Sequence, residues 1–277
     1  MSRLISVAVA WALLATELPA RAGAPEDPPM PVRTLLTQAL EQSDARADAA
    51  ARRHILEKAV REARPLLAGN VVLSRGLRQA QERAAAADDA PAADLLKAAL
   101  REAAETLAFR PVIEAKLPEG FPAPTPVGEI QVKSYPRYRL ARAGTQGDSA
   151  FWTLFNHIKK NDVAMTAPVE MTYGEGAKKA RPEAMAFLYE SVRQGDVGRQ
   201  GAVDVADAPP MTVVSLGLRG DMSDARVAEA RELLEGWLRE HSREYVEAGP
   251  LRVMGYNSPF VPRQRRYFEV QVPVRKP

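Results

Sequence analysis

Few side chains in this 277-residue sequence belong to a recognisable reactive arrangement. Its three histidines, His54, His157 and His241, are scattered and do not show the spacing of metal ligands. The absence of cysteine excludes thiolate zinc sites, iron–sulfur clusters, disulfides and a cysteine nucleophile. Glu170 is the one acidic residue in an otherwise uncharged stretch, and it could act as an acid or base if it is buried. If Glu170 faces solvent, that hypothesis is void.

Catalytic and nucleic-acid-binding patterns are also missing from the sequence. It contains no Gly-x-Ser-x-Gly elbow, no glycine-rich phosphate loop and no His-Glu-x-x-His motif. We therefore expect a protein that is not an enzyme. The formal net charge is only +3 and the arginines are dispersed, which is not the footprint of a nucleic-acid-binding protein.

Residues 1–22 have the pattern of a secretory signal peptide. Arg3 supplies the positive charge, an apolar stretch runs from Leu4 to Ala15, and Ala20-Arg21-Ala22 fits a cleavage site before Gly23. The apolar stretch is shorter than the roughly 20 residues that span a bilayer, and no later segment is apolar enough to do so. We expect an exported, periplasmic or extracellular protein. The alternative is a cytosolic protein with an apolar N-terminus.

Residues 23–116 have the composition of a helical region. After a stretch rich in proline and acidic residues, residues 32–110 are dominated by Ala, Leu, Arg and Glu, which are strong helix formers. Gly69-Asn70 and Pro91 mark helix ends and starts within it. The pattern predicts three or four helices packed as a small antiparallel bundle. A stabilising or spacing role is favoured over a partner-binding coiled coil, because no strict heptad runs long enough.

The periodicity changes beyond the prolines of residues 118–126. Residues 117–277 contain stretches in which apolar and polar residues alternate, as in half-buried strands. Two amphipathic helices interrupt them, at about residues 148–160 and 223–241. The order of elements predicts two ββαββ-like repeats. We expect an α+β fold in which two helices cover one side of a curved antiparallel sheet or distorted β-barrel.

Four stretches in this second region resemble the SOUL haem-binding protein family. The closest match is the octet Ala164–Met171, which contains the family's "AMTAPV" sequence. The others are residues 128–136, which look like the opening strand, residues 151–158, which look like the first helix, and residues 255–270, which look like the final hairpin. The resemblance covers about residues 117–277 and none of the helical region.

This resemblance implies non-covalent, reversible binding of haem or a related tetrapyrrole against the first helix and the loop that joins the last strands. A porphyrin needs aromatic and apolar surface, with cations for its propionates. The candidate binding residues are Phe151, Trp152, Phe155, His157, Lys159, Met165, Phe260, Arg263 and Arg265. His157 is a candidate axial iron ligand, and the alternative is a partly exposed histidine without that role. For Met165 the alternative is simple core filling.

The leading hypothesis is an exported bacterial haem- or tetrapyrrole-binding protein that transports, buffers or sequesters its ligand without catalysis. One rival is a binding module for another apolar small ligand, since the fold implied by the resemblance is similar to the effector-binding domains of bacterial regulators. Another is an interaction protein whose helical region recruits a partner. A hydrolase that uses Glu170 is the most distant alternative.

Overall fold

A computed structural model describes residues 30–145, 150–174, 182–258 and 260–277. The expected signal peptide and Pro259 of the last matching stretch lie outside these ranges. Within them, four helices precede an antiparallel sheet that carries two further helices, so the predicted α+β class and order of elements are confirmed. None of the described helices combines the length and the apolarity needed to cross a membrane.

The types and the order of the described elements follow the periodicities of the sequence. The helices are α1 Met30–Asp44, α2 Ala49–Leu66, α3 Val71–Ala85, α4 Asp89–Ala108, α5 Ala150–Lys160 and α6 Asp224–Glu240. The strands are β1 Ile130–Tyr135, β2 Tyr138–Gly144, β3 Val169–Tyr173, β4 Pro182–Leu188, β5 Gly198–Gln200, β6 Val203–Ala208, β7 Met211–Arg219, β8 Val246–Glu247, β9 Arg252–Gly255 and β10 Tyr267–Arg275. A 3-10 helix at Arg263–Arg265 precedes β10.

Helices α1 to α4 bury one face each around a common core of leucine, valine and alanine. Asp48 begins α2 by accepting a hydrogen bond from the Ala51 N–H at 2.7 Å. Asn70 begins α3 in the same way, accepting from the Leu73 N–H at 3.0 Å. The break at Gly69-Asn70 therefore lies between two helices, as the sequence predicts.

Asn70 also joins the helices to the sheet. Its Nδ2 donates to the Val127 carbonyl at 2.8 Å, and the Val71 N–H donates to the Gly128 carbonyl at 2.8 Å. Gly128 has a φ of +82°, and a Cβ there would lie 2.0 Å from Asn70 Oδ1. Only glycine fits this junction. The division into a helical region and a second domain at residues 116–117 stays a prediction.

The sheet interleaves the two repeats. Its strand order is β1-β7-β10-β9-β3-β4-β2-β6-β5, with β8 beside β10. Strands β3 and β9 form the centre, where Glu170 lies opposite Met254. The first strand of each repeat pairs with the second strand of the other repeat, β1 with β7 and β6 with β2. Among the described strands this path stays open between β1 and β5, so the architecture is the curved sheet of the prediction without barrel closure.

The two faces of the sheet are covered differently. One face packs against α5 and α6 through apolar residues of β2, β3, β4, β6, β7, β9 and β10. Because side chains alternate along a strand, the residues between those apolar ones point to the opposite face. That face meets residues 109–127, which we call the covering segment, through Phe109, Ala115, Leu117, Phe121 and Val127.

Pro168 divides the octet Ala164–Met171 into a connecting stretch and the start of β3. Strand β3 starts at Val169, directly after the cis peptide bond between Ala167 and Pro168. Before it, the Ala167 N–H donates to the Lys116 carbonyl at 2.9 Å, and Thr166 Oγ1 donates to the Leu188 carbonyl at 2.6 Å. The octet thus ties the covering segment to the end of β4 and then enters the centre of the sheet.

Candidate functional site: an aromatic surface on helix α5

Helix α5 exposes aromatic residues because of the face that it buries. Periodicity predicts Phe151, Leu154, Phe155 and Ile158 on the buried side, with His157 outside it. The structure shows that a different face of α5 is buried. The buried residues are Ala150, Leu154, His157 and Ile158. Leu154 and Ile158 pack against alanine, valine and aromatic residues of β2, β4 and β6. The helix is therefore rotated so that Phe155 and Trp152 turn outward.

Phe151, Trp152 and Phe155 form one contiguous cluster, which we call the aromatic surface. The ring centroids of Phe151 and Trp152 lie 5.5 Å apart, those of Trp152 and Phe155 5.8 Å apart, and those of Phe151 and Phe155 6.2 Å apart. Phe151 also contacts Phe187 of β4 at 5.3 Å, which anchors the cluster to the sheet. Trp152 is 62% exposed and Phe155 38%. Contiguous exposed rings of this kind make this side of α5 a candidate binding surface.

Lys159 continues the same stripe of the helix. Residues 152, 155 and 159 are three and four positions apart, so their side chains emerge on one side. Lys159 and Lys160 are both exposed in the last turn of α5. Met165, in the connection to β3, is 39% exposed. The aromatic surface therefore ends in two cations, an arrangement that suits a flat apolar ligand with a negatively charged edge.

His157 lies on the other side of the helix. It is only 8% exposed, so the alternative of a partly exposed histidine is wrong. Its Nε2 is 2.9 Å from the Tyr189 hydroxyl, and its Nδ1 is 3.3 Å from Asn161 Nδ2. Burial, aided by the charge of Lys160, lowers the pKa of His157. To act as an axial iron ligand, His157 would have to leave Tyr189 and turn out of the core.

Phe260, Arg263 and Arg265 lie on a different segment, the connection between β9 and β10. Phe260 is 92% exposed, and both arginines are exposed in the 3-10 helix. Arg263 Nη1 is 3.7 Å from a carboxylate oxygen of Asp221, which precedes α6. The structure thus brings Phe151, Trp152, Phe155 and Lys159 together on α5, and it places the loop candidates beside the start of α6.

A second cluster, of buried charges, lies on the face under the covering segment. Glu269 is fully buried and accepts hydrogen bonds from Lys133 Nζ at 2.7 Å and from the Tyr256 hydroxyl at 3.0 Å. Further donors are Gln271 Nε2, the Tyr267 hydroxyl and the Thr125 N–H. Burial and the charge of Glu269 raise the pKa of both tyrosines well above its usual value.

Glu170 belongs to the same face. It is buried, so the solvent-facing alternative is wrong. Its Oε2 accepts from the Tyr138 hydroxyl at 2.8 Å and lies 3.4 Å from Arg252 Nη2. Burial and the charge of Glu170 raise the pKa of Tyr138. Glu170 is therefore half of a buried ion pair.

Sequence reasoning found Glu170 but missed Lys133, Arg252 and Glu269. Glu269 lies between Phe268 and Val270, at a polar position of the alternation in the last strand, so the pattern predicts a solvent-facing side chain there and gives no signal of its burial. Two of its four side-chain donors, Tyr267 and Gln271, lie two residues away in β10. The other two, Lys133 in β1 and Tyr256 directly after β9, are more distant in the sequence, and such contacts carry no local sequence pattern. Among the described residues, no group of three or more histidine, aspartate and glutamate side chains could hold a metal ion.

The family model of SOUL heme-binding proteins matches residues 123–273, and the chain belongs to that family. The comparison with curated proteins gave no match.

Solved structures similar to the chain are distant. The C-terminal domain of EcmrR is 17% identical, with 54% of this chain and 98% of that chain covered and a TM-score of 0.42. A hydrolase from Listeria innocua is 12% identical, with coverages of 55% and 94% and a TM-score of 0.40. SAV2435 bound to tetraphenylphosphonium is 13% identical, with coverages of 53% and 94% and a TM-score of 0.32. Similarity at this level transfers neither a ligand nor an activity.

Proposed function

We propose that this protein binds haem or a related tetrapyrrole non-covalently on the aromatic surface of α5. Its role would be transport, buffering or sequestration of the ligand without catalysis. The observation that carries the proposal is the exposure of Trp152 and Phe155 beside Phe151, in a chain of a haem-binding family. Exposed rings that already contact one another, edge to face between Trp152 and Phe155, offer a porphyrin an apolar surface that needs little reorganisation.

The surrounding charges fit the carboxylate edge of such a ligand. Lys159 follows the rings along the same side of the helix, and Lys160 lies next to it. A propionate that meets a lysine ammonium forms a charge-assisted hydrogen bond. His157 is committed to Tyr189, so binding in this proposal rests on ring stacking and propionate contacts. Iron ligation by His157 is an additional possibility that binding does not require.

Titration of the mature chain with haemin, followed by its Soret absorption, tests the proposal. We expect a saturable shift at one equivalent. Replacing both rings in Trp152→Ala/Phe155→Ala should weaken haemin binding by about tenfold or more, since each stacked aromatic contributes about 0.5–1.5 kcal/mol. The matched control is Val197→Ala, another exposed apolar residue, which should leave the titration unchanged.

Three further results discriminate the details. If haemin binding in His157→Ala equals that of the wild type, iron ligation by this residue is excluded and the stacking site stands. If Phe260→Ala or Arg263→Ala weakens haemin binding, the β9–β10 loop closes over the ligand. No Soret shift at micromolar haemin would end the proposal as a whole.

A second candidate function is the binding of an apolar ligand without iron. The observation that favours it is the same commitment of His157 to Tyr189, because the aromatic surface then offers iron no imidazole. Metal-free protoporphyrin and a non-porphyrin apolar dye, each titrated in competition with haemin, separate the two. Displacement of haemin by the dye at comparable concentration favours the broader specificity.

We also propose that the protein is exported, to the periplasm or outside the cell. The support is the charged, apolar and small-residue pattern of residues 3–22. Mass spectrometry of the protein from cell fractions tests this. We expect a mature N-terminus at Gly23 in the exported fraction, whereas an intact Met1 in the cytosol would contradict export.

A further inference from the structure

Arg252, on the face under the covering segment, is a buried cation whose hydrogen bonding is incomplete. It is 3% exposed, and its Nη atoms donate to the sulfur atoms of Met211 and Met254. The carboxylate of Glu170 is 3.4 Å away, and Nε has no partner among the described residues. A guanidinium carries five N–H donors, thioether sulfur is a weak acceptor, and buried donors are normally paired. The Nε donor of Arg252 therefore lacks an acceptor, while Nη2 faces the Glu170 carboxylate.

Aromatic rings line the space beside this guanidinium. Arg252 lies over the ring of Tyr135 at 5.3 Å and over that of Tyr138 at 5.9 Å. The ring of Phe121 meets both tyrosines edge-on, at 4.8 Å from Tyr135 and 5.1 Å from Tyr138. Phe121 thus fills an aromatic slot that the sheet supplies, and the cation lies against the rings that form it.

Phe121 is contributed by the covering segment and not by the sheet. It ends a turn in which its N–H donates to the Pro118 carbonyl at 3.2 Å, next to Gly120 with a φ of +74°. The described residues of the covering segment from Phe109 to Phe121 form neither helix nor strand, and the family match begins only at residue 123. Phe121 therefore lies just before the residues matched by the family model, while Tyr135, Tyr138 and Arg252 lie within them.

A cavity also lies under the covering segment. Its volume is about 250 Å³, and it is lined by residues 112–117 together with Pro124, Ala167 and Tyr256. If Phe121 leaves the slot, its ring loses the contacts with Tyr135 and Tyr138. A ligand ring that takes its place would restore the contacts with Tyr135 and Tyr138.

We propose that the slot filled by Phe121 is a second binding site, which accepts a small aromatic carboxylate. The ligand ring replaces Phe121 between Tyr135 and Tyr138, and its carboxylate accepts hydrogen bonds from Arg252. Lys133 Nζ also lies over the Tyr135 ring, at 5.7 Å, but it is paired with Glu269, so the unpartnered Nε of Arg252 is the group left for the ligand carboxylate. The site is independent of the haem proposal, since it lies on the opposite face of the sheet from α5.

Calorimetric titration with phenylacetate tests this site, because the slot holds a single benzene ring. We expect the wild type to bind weakly, since Phe121 competes with the ligand, and Phe121→Ala to bind about tenfold more tightly or better. The matched control is Ile113→Ala, an exposed apolar position of the same segment, which should bind like the wild type. Haemin titration of Phe121→Ala should be unchanged, which separates this site from that on α5.

One neutral and one cationic analogue of phenylacetate distinguish a specific site from a simple cavity. Removing a ring can leave a hole that takes any apolar guest. The proposal requires 2-phenylethanol and phenethylammonium to bind at least about tenfold more weakly than phenylacetate, since only the carboxylate supplies a negatively charged acceptor to Arg252. Equal binding of the three, or no binding of phenylacetate to Phe121→Ala, would overturn it.

A milder pair of variants guards against loss of folding. Phe121→Leu keeps an apolar plug of smaller size and should strengthen phenylacetate binding in the same direction. Arg252→Gln removes the positive charge and keeps a polar side chain, so it should lose the preference for the carboxylate over the alcohol. If Arg252→Gln folds, by circular dichroism, and retains that preference, Arg252 is not the anchor and the proposal fails.

Discussion

The two faces of the sheet differ in which side chains they expose and which they bury. The face under α5 and α6 is apolar throughout its core, yet α5 leaves Trp152 and Phe155 open to solvent. The opposite face is closed by the covering segment, yet it buries two ion pairs, Lys133 with Glu269 and Arg252 with Glu170. Each face thus departs from the usual rule of apolar inside and charged outside, but in a different direction.

The exposed rings and the buried charges have different structural origins. The open rings result from the rotation of one helix, because α5 turns His157 inward and Phe155 outward. The buried charges result from pairing between repeats, because β1 carries Lys133 next to β7 and β10 carries Glu269 on the other side of β7. Exposed rings are available to a ligand at once, whereas buried ions are costly unless paired.

The largest expected effect is loss of the central carboxylate on the covered face. Glu269→Ala should lower the free energy of unfolding by about 3–5 kcal/mol, because it leaves Lys133 buried without a counter-ion. Urea denaturation measures this. The control is Asp204→Ala, which removes an exposed pair with Arg142 at 3.0 Å and should cost less than about 1 kcal/mol. Comparable losses in the two variants would mean that the buried pair is accessible to water.

The helix-covered face separates stability from binding. Leu154→Ala, at a fully buried position of α5, should cost about 2–5 kcal/mol of unfolding free energy. Trp152→Ala should cost less than about 1 kcal/mol, because most of its ring is exposed, and should weaken haemin binding instead. A Trp152→Ala protein that unfolds as easily as Leu154→Ala would show that the aromatic surface is structural.

Closure of the covered face depends on a close approach of two backbones. A Cβ at Gly217 of β7 would lie 2.3 Å from the Thr125 carbonyl oxygen of the covering segment. Gly217→Ala should therefore cost about 1–3 kcal/mol, measured by thermal unfolding. The control is Gly76→Ala in α3, where a Cβ would meet no atom within 4 Å. That variant should gain about 0.5–1 kcal/mol from helix propensity.

The smallest expected effect is a pH dependence from His157. Its lowered pKa means that the folded state favours the neutral ring, while the unfolded chain takes up a proton at about pH 6.5. Stability from this group is present above that pH and is lost as the pH falls through the folded value. Unfolding in urea at pH 7.5 and 5.0 should show a drop that His157→Gln reduces, by up to about 1 kcal/mol. An equal drop in both proteins would assign it to other groups.

Much of the fold follows from the sequence. The order of elements, the helical N-terminal region and the family all came from local periodicity and short motifs, because a period of two or of 3.6 residues is written in neighbouring positions. All three residues of the aromatic surface are candidates that the sequence analysis names. The rotation of α5 was not predicted, since a short helix with apolar residues on several sides can bury more than one face.

The sequence by itself determined which residues alternate, where helices begin and end, and which family's sheet this is. Only the tertiary structure decided that His157 is buried and Trp152 open, and that Glu269 meets Lys133 while Phe121 enters the slot between Tyr135 and Tyr138. The physical reason is that these contacts join residues that are far apart in the sequence. Alternation fixes which side of a strand a residue occupies, but its partner depends on strands paired across the two repeats and on a covering segment that returns over them.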